Sequence, residues 1–146
     1  MTLARLVALK IGEVMNRVIL KVNEDESVFS AVKKMSDLGV GAIIVISKEE
    51  RVIGIFTERD LMTKVVVPEK DPKAMPISEV MTRSFQVLSS DLPVLTAFQL
   101  MQSGGFRHVP IVDDSKLVGI LSTKDLHRLV NDFLELVYDC VGWKKP

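Results

Sequence analysis

The sequence has few of the residues from which disulfide frameworks, metal centres and aromatic cores are made. Its 146 residues include one cysteine, Cys140, two histidines and only 5% aromatic residues. A single cysteine excludes an internal disulfide framework and fits a reducing compartment. His108 and His127 have no cysteine or carboxylate partners at metal-ligand spacing, so we expect no metal site. With 47% hydrophobic residues, the core must be mainly aliphatic.

An excess of charge of one sign and long apolar runs are also absent. Nineteen basic residues balance nineteen acidic ones, so no global field attracts nucleic acid or an anionic membrane, and neither is expected as a partner. Residues 1–10 are apolar but lack a small-residue cleavage site, and no later apolar run approaches the ~20 residues that span a bilayer. We therefore expect a soluble cytoplasmic protein of one domain or two small repeats.

What the chain does contain is an internal repeat. The sequence GIFTERDL at residues 54–61 recurs as GILSTKDL at residues 119–126. Upstream of it, Val14-Met15 matches Val80-Met81 at an offset of 66 residues, which falls to 65 after Ser47. Proline and charge clusters mark a linker between the copies. The predicted divisions are an N-terminal segment 1–10, repeat one 11–67, a linker 68–76, repeat two 77–138 and a tail 139–146.

Each repeat shows the pattern β-α-β-β-α, which predicts an α/β fold. Asp25 and Asp91 are candidate N-caps of the first helix in each copy. Continuous apolar runs predict strands covered on both faces. Neither repeat can bury its sheet alone, so we expect the two to pack sheet to sheet about a pseudo-twofold axis. The predicted strands are 18–22, 42–46, 52–56, 85–88, 109–112 and 117–121, and the predicted helices are 28–38, 60–67, 94–101 and 124–138.

These repeats resemble a tandem pair of the cystathionine-β-synthase (CBS) domain family. Both copies match the family motif of glycine, hydrophobic, x, Thr/Ser, x, x, Asp, and residues 105–113 match the segment that leads into its central strand. The resemblance covers nearly the whole chain and implies a stand-alone pair. It also implies adenine nucleotides or related adenosyl ligands bound in clefts between the repeats, a homodimer, and regulation of a partner protein.

The motif presents a hydroxyl residue and an aspartate: Thr57 with Asp60, and Ser122 with Asp125. An aspartate can accept two hydrogen bonds from a cis-diol, and the resemblance implies that role toward the ribose. The hydroxyl can contact a ribose or α-phosphate oxygen. The alternative is that each aspartate is only the cap of the helix that follows and each hydroxyl satisfies a strand-end amide.

Phosphate groups need cations, and the candidates are few. The resemblance implies this role only for Arg107 and His108. Each can instead be a solvated surface charge. If each cleft takes its aspartate from one repeat and its cations from the other, the Asp60 cleft binds a phosphorylated ligand better, because repeat one has Gly41-Ala42 where repeat two has its basic pair. The predicted cations are Arg107 and His108 before the central strand, with Lys124 and Arg59 beside the motif aspartates.

Apolar walls for an adenine ring are expected from six residues that can equally be core: Ile19, Val40, Ile55, Phe85, Phe106 and Ile120. The leading interpretation is a non-catalytic sensor of AMP, ADP, ATP, S-adenosylmethionine or NAD as regulatory ligand, with no required cofactor. A scaffold with vestigial clefts is the alternative. An enzyme is the weakest reading, because no nucleophile and base are paired. The tail residues that complete the core or an interface are Phe133, Leu136, Val137, Val141 and Trp143.

Overall fold

The computed structural model describes residues 2–142 and divides into two compact units. Unit A is residues 18–86, and unit B combines residues 2–17 with residues 87–142. The predicted α/β class is confirmed. The elements in chain order are α1 Leu3–Val7, α2 Ile11–Val14, β1 Lys21–Asn23, α3 Val28–Leu38, β2 Ala42–Ile46, β3 Val52–Thr57, α4 Glu58–Asp60, a π-helix Leu61–Val66, a 3₁₀ turn Ile77–Glu79, α5 Val94–Gly104, β4 His108–Asp113, β5 Lys116–Ser122 and α6 Thr123–Val141.

Unit A is built on a three-stranded sheet in the order β1-β2-β3. β1 is parallel to β2, and β2 is antiparallel to β3. Every residue of β2 is buried, which confirms a strand covered on both faces. On the edge of β3 that faces away from β2, Thr82 and Ile55 exchange both backbone hydrogen bonds, at 2.7 and 3.0 Å. The segment that opens repeat two therefore extends the sheet of repeat one.

Unit B repeats this plan with fewer regular strands. β4 and β5 form an antiparallel pair. Leu88 makes one parallel bridge to Ile111, so the strand predicted at 85–88 is wrong apart from that residue. Gln86 and Val87 are exposed, so burial of side chains does not favour a strand there. On the free edge of β5, Asn16 and Ile120 exchange backbone hydrogen bonds at 2.9 and 3.0 Å.

The helix boundaries follow local chemistry that the sequence patterns only partly indicated. The predicted N-cap Asp25 is wrong, because Ser27 caps α3 by accepting from the backbone N–H of Ser30 at 3.2 Å. The predicted N-cap Asp91 is also wrong, since Pro93 occupies that position and Asp91 pairs with Lys10 at 2.9 Å. In place of the α-helix predicted for residues 60–67, a single α turn widens into the π-helix.

Each unit has its own apolar core, and each core includes the opening segment of the other repeat. In unit A, Val80 and Met81 join the side chains of α3 and β2. In unit B, Ile11 and Met15 join those of α5 and β4. The tail residues Phe133 and Leu136 are half-buried, Val137 and Val141 are exposed, and Trp143 lies outside the described residues.

Because the opening segment of each repeat packs in the core of the other repeat, the motif glycines are required. A Cβ built on Gly54 would overlap the Sδ of Met81 and lie 2.8 Å from its Cγ. A Cβ built on Gly119 would overlap the Sδ of Met15 and lie 2.9 Å from its Cγ. The glycine of each motif therefore leaves room for the methionine that opens the other repeat.

Candidate functional site

The first motif lies at the junction of β3 and α4. Thr57 is the N-cap of α4, and its Oγ1 accepts from the backbone N–H of Asp60 at 3.3 Å. In return, Oδ2 of Asp60 accepts from the Thr57 backbone N–H and hydroxyl, both at 2.9 Å. This reciprocal arrangement is a capping box in which Thr57 is the N-cap and Asp60 the N3 residue, so the pair does cap the helix, but the hydroxyl rather than the aspartate is the cap.

The second motif, at the junction of β5 and α6, has the same geometry. Oδ2 of Asp125 accepts from the Ser122 backbone N–H at 2.8 Å and from its hydroxyl at 2.6 Å. The Asp125 N–H reaches Ser122 Oγ at 3.4 Å. In both motifs the cap uses Oδ2, so only Oδ1 can accept hydrogen bonds from a ligand.

The two motifs differ in what surrounds Oδ1. In unit A, Oδ1 of Asp60 accepts from the hydroxyl of Thr82 at 3.0 Å and lies 2.7 Å from Nζ of Lys64. The same ammonium donates to the Val80 carbonyl and to Thr82 Oγ1, each at 3.0 Å. Asp60 is only 6% exposed. A ligand hydroxyl could reach this carboxylate only by displacing bonds that already exist.

In unit B, Oδ1 of Asp125 is far less occupied. Its nearest cation among residues 2–142 is the guanidinium of Arg128, at 3.9 Å. The Asp125 side chain is 17% exposed, against 9% for that of Asp60. By the offset of 65, Leu129 stands where repeat one has Lys64, so the tethered ammonium has no counterpart here.

The predicted basic residues of repeat two lie in the same unit as this second motif. His108 is the register partner of Ser122 in the β4–β5 pair, and the Arg107 carbonyl accepts from the Thr123 N–H at 3.0 Å. Arg107 and Lys124 are exposed and form no ion pair within residues 2–142. This end of the ladder therefore gathers positive charge near Asp125. That these residues serve Asp60 from the other repeat stays a prediction.

The equivalent end of the β2–β3 pair has a different charge. Ala42 is the register partner of Thr57, and the Gly41 carbonyl accepts from the Glu58 N–H at 3.1 Å. The Glu58 carboxylate lies 3.3 Å from the position of a Cβ built on Gly41. An acidic group thus lies beside the position that Arg107 holds in unit B. The other predicted cation, Arg59, is exposed.

The six predicted adenine-wall residues are distributed over both units. Ile55 is buried on β3 and Ile120 half-buried on β5, each bonded to an opening segment. Val40 packs against the core of unit A and Phe106 against that of unit B. Ile19 and Phe85 are half-buried in unit A. Their role as walls stays a prediction.

Sequence reasoning missed Lys64, Thr82 and Glu58. The signal for Lys64 was available, since a lysine four residues after an aspartate on a helix lies on the same face. Thr82 could not be found this way, because it reaches Asp60 only after the opening segment of repeat two has packed against repeat one.

None of the helices within residues 2–142 combines the length and apolar character needed to cross a bilayer.

Comparison with known proteins places these motifs in a family. The chain is 33% identical over 120 residues to an uncharacterized protein of Methanopyrus kandleri, covering 82% of this chain and 61% of that protein. It is 33% identical over 110 residues to the mitochondrial CBS domain-containing protein CBSX3 of Arabidopsis thaliana, covering 73% and 53%. The chain thus spans between about half and three fifths of these relatives.

Solved structures show the same fold. A CBS-domain containing protein of Agrobacterium tumefaciens matches with a TM-score of 0.78 at 27% identity, covering 85% of this chain and 95% of that one. A hexameric CBS-CP12 protein from bloom-forming cyanobacteria matches with a TM-score of 0.75 at 29% identity, covering 82% and 69%. The sequence profile of the CBS domain matches twice, at residues 11–67 and 77–132. The chain is a tandem pair of CBS domains and belongs to the CBS domain family.

Proposed function

We propose that this CBS pair is a non-catalytic regulatory module that binds an adenosyl ligand through a hydroxyl-x-x-aspartate motif. The observation that carries the proposal is the state of the Asp125 carboxylate. Its Oδ2 is fixed by the cap of α6, while the nearest cation to its Oδ1 in the described part of the chain is a guanidinium at 3.9 Å. A half-buried carboxylate oxygen held in this way suits the hydroxyl donors of a ribose.

The charge around Ser122 and Asp125 supports a phosphorylated ligand. Arg107 and Lys124 are exposed at the same end of the β4–β5 ladder. A guanidinium can bind a phosphate through two parallel hydrogen bonds, and an ammonium adds a point charge. This chemistry favours AMP, ADP or ATP over an uncharged nucleoside.

The test is a titration with three probes: AMP, adenosine and 2′-deoxyadenosine 5′-phosphate. AMP should bind most tightly, adenosine more weakly because it lacks the phosphate, and the deoxy compound more weakly because one diol donor is missing. At a hundred times its dissociation constant a ligand stabilises the folded state by ~2.7 kcal/mol, which raises Tm by roughly 5–10 °C in a domain of this size. If AMP, ADP, ATP, S-adenosylmethionine and NAD all leave Tm unchanged, the scaffold function replaces this one.

The regulatory step follows from differential affinity. A ligand that binds one conformation of the pair more tightly shifts the population toward it, and a partner protein responds to that shift.

We also propose a homodimer in the cytoplasm. Unit B exposes apolar side chains around a groove of about 270 Å³ between α5 and α6, and the cyanobacterial relative in structure is a hexamer. Light scattering should give twice the chain mass, and Phe98→Glu should give the monomer.

A further inference from the structure

We propose that Lys64 is a tethered cation that closes the Asp60 motif to ligands, so that Asp125 alone serves as the diol acceptor. This inference rests on the proposed function and decides which of the two motifs performs it. It reverses the preference for the Asp60 cleft that the sequence suggested.

The ammonium of Lys64 occupies the position where a ligand donor would have to bind. It lies 2.7 Å from Oδ1 of Asp60, the one oxygen that the cap leaves over. Thr82 donates to the same oxygen at 3.0 Å. A ligand donor would therefore have to compete with a cation and a hydroxyl for this one oxygen.

The ammonium is held by more than the aspartate. It also donates to the Val80 carbonyl and to Thr82 Oγ1 at 3.0 Å, so two hydrogen bonds hold it in place beside its ion pair with Asp60. The hydroxyl of a weakly bound ligand would have to break these bonds in a site where Asp60 is only 6% exposed. An acidic neighbour, Glu58 beside Gly41, further disfavours a phosphate there.

The residues that surround the motif differ in repeat two. Leu129 replaces the lysine, Asn16 replaces the threonine, and Thr123 replaces the glutamate. The cap is otherwise the same, with Oδ2 of Asp125 bonded to Ser122 at 2.6 and 2.8 Å. The difference between the motifs therefore lies in the residues around them and centres on Lys64.

The experiment compares binding stoichiometry by calorimetric titration of the full chain with AMP and with adenosine. The wild type should bind one AMP per chain. Asp125→Asn should lose at least tenfold in affinity, while Asp60→Asn should change it less than twofold. Lys64→Leu installs the residue of repeat two and should add a second adenosine equivalent, which the double variant with Asp60→Asn loses again. Lys64→Arg, which keeps a cation, should still bind one.

Lys64→Met keeps the aliphatic stem and replaces Lys64→Leu if circular dichroism shows that the latter is unfolded. Two AMP molecules per wild-type chain, or binding that depends on Asp60 and survives Asp125→Asn, would overturn the closure of this motif and leave the proposed function intact. Loss of all binding in the wild type and every variant contradicts the proposed function itself. The comparison of Asp60→Asn with Asp125→Asn decides the matter without any change at Lys64.

Discussion

Lys64 and Asp60 form an ion pair of 2.7 Å one helical turn apart, in which the carboxylate is buried and the ammonium is bonded to two further oxygens of the segment that opens repeat two. The pair therefore links the motif of one repeat to the first residues of the other. At the position equivalent to Lys64, four residues after Asp125, the chain has Leu129, which cannot form such an ion pair. Two copies of one motif thus differ in chemistry through residues outside the motif.

Asp60→Asn should destabilise the protein more than Asp125→Asn. The first substitution removes the counter-charge of an ammonium whose side chain is 40% exposed and changes the group that accepts from Thr82. It should lower the free energy of unfolding by about 1.5–3 kcal/mol, because hydrogen bonds to charged groups are worth roughly that much. The second mainly weakens a helix cap, worth about 1 kcal/mol. Urea denaturation of both variants measures the difference, and equal losses would show that the Lys64–Asp60 ion pair adds nothing to stability.

Gly54→Ala should be costly because of Met81. The added methyl meets the buried methionine side chain, and overpacking of this kind costs about 1–3 kcal/mol. In combination with Met81→Ala the further loss should nearly vanish, giving a coupling energy of at least about 1 kcal/mol in a double-mutant cycle. Gly39→Ala is the control, because no atom lies within 4 Å of its Cβ and its cost should be additive. Additivity at Gly54 would contradict the predicted packing.

Arg107→Ala should weaken the binding of AMP and spare that of adenosine. Loss of a charge-assisted hydrogen bond to phosphate costs roughly 1.5–3 kcal/mol, which is about 10- to 100-fold in Kd. Lys116→Ala is the charge-matched control, because it lies at the opposite end of β5. Equal losses for AMP and adenosine would show that Arg107 acts on the fold rather than on the phosphate.

Asp113 should make the stability of unit B sensitive to acid. The hydroxyl and backbone N–H of Ser90, with the hydroxyl of Ser89, hold the pKa of the Asp113 carboxyl below its ordinary value. A depressed pKa adds stability above the unfolded value of about 3.9, and this is lost as pH falls through the folded pKa. Asp113→Asn should therefore lower the denaturation midpoint at pH 7, and this effect should shrink as the pH falls below the depressed pKa of Asp113. Asp114→Asn, which touches neither serine, is the control, and a pH-independent difference would contradict the cause.

Periodicity and apolar runs predicted the elements that depend on local pattern. β2 lies at residues 42–46 and α3 at residues 28–38, as the sequence indicated, because a buried strand and an amphipathic helix each leave a direct trace in the order of residues. The predicted N-caps Asp25 and Asp91 were wrong, because Ser27 and Pro93, the residues immediately before the two helices, occupy those positions. The π-helix was missed because its i to i−5 bonds produce no distinct pattern.

The sequence by itself determined the duplication, the family and the positions of the two motifs, since these depend on residue identity at fixed spacing. The tertiary structure decided which oxygen of each aspartate remains open. That depends on Lys64, Thr82 and the exchanged opening segments, which meet the motif only when the chain has folded. A capping box fixes Oδ2 through local geometry, whereas the occupation of Oδ1 depends on side chains brought in by packing.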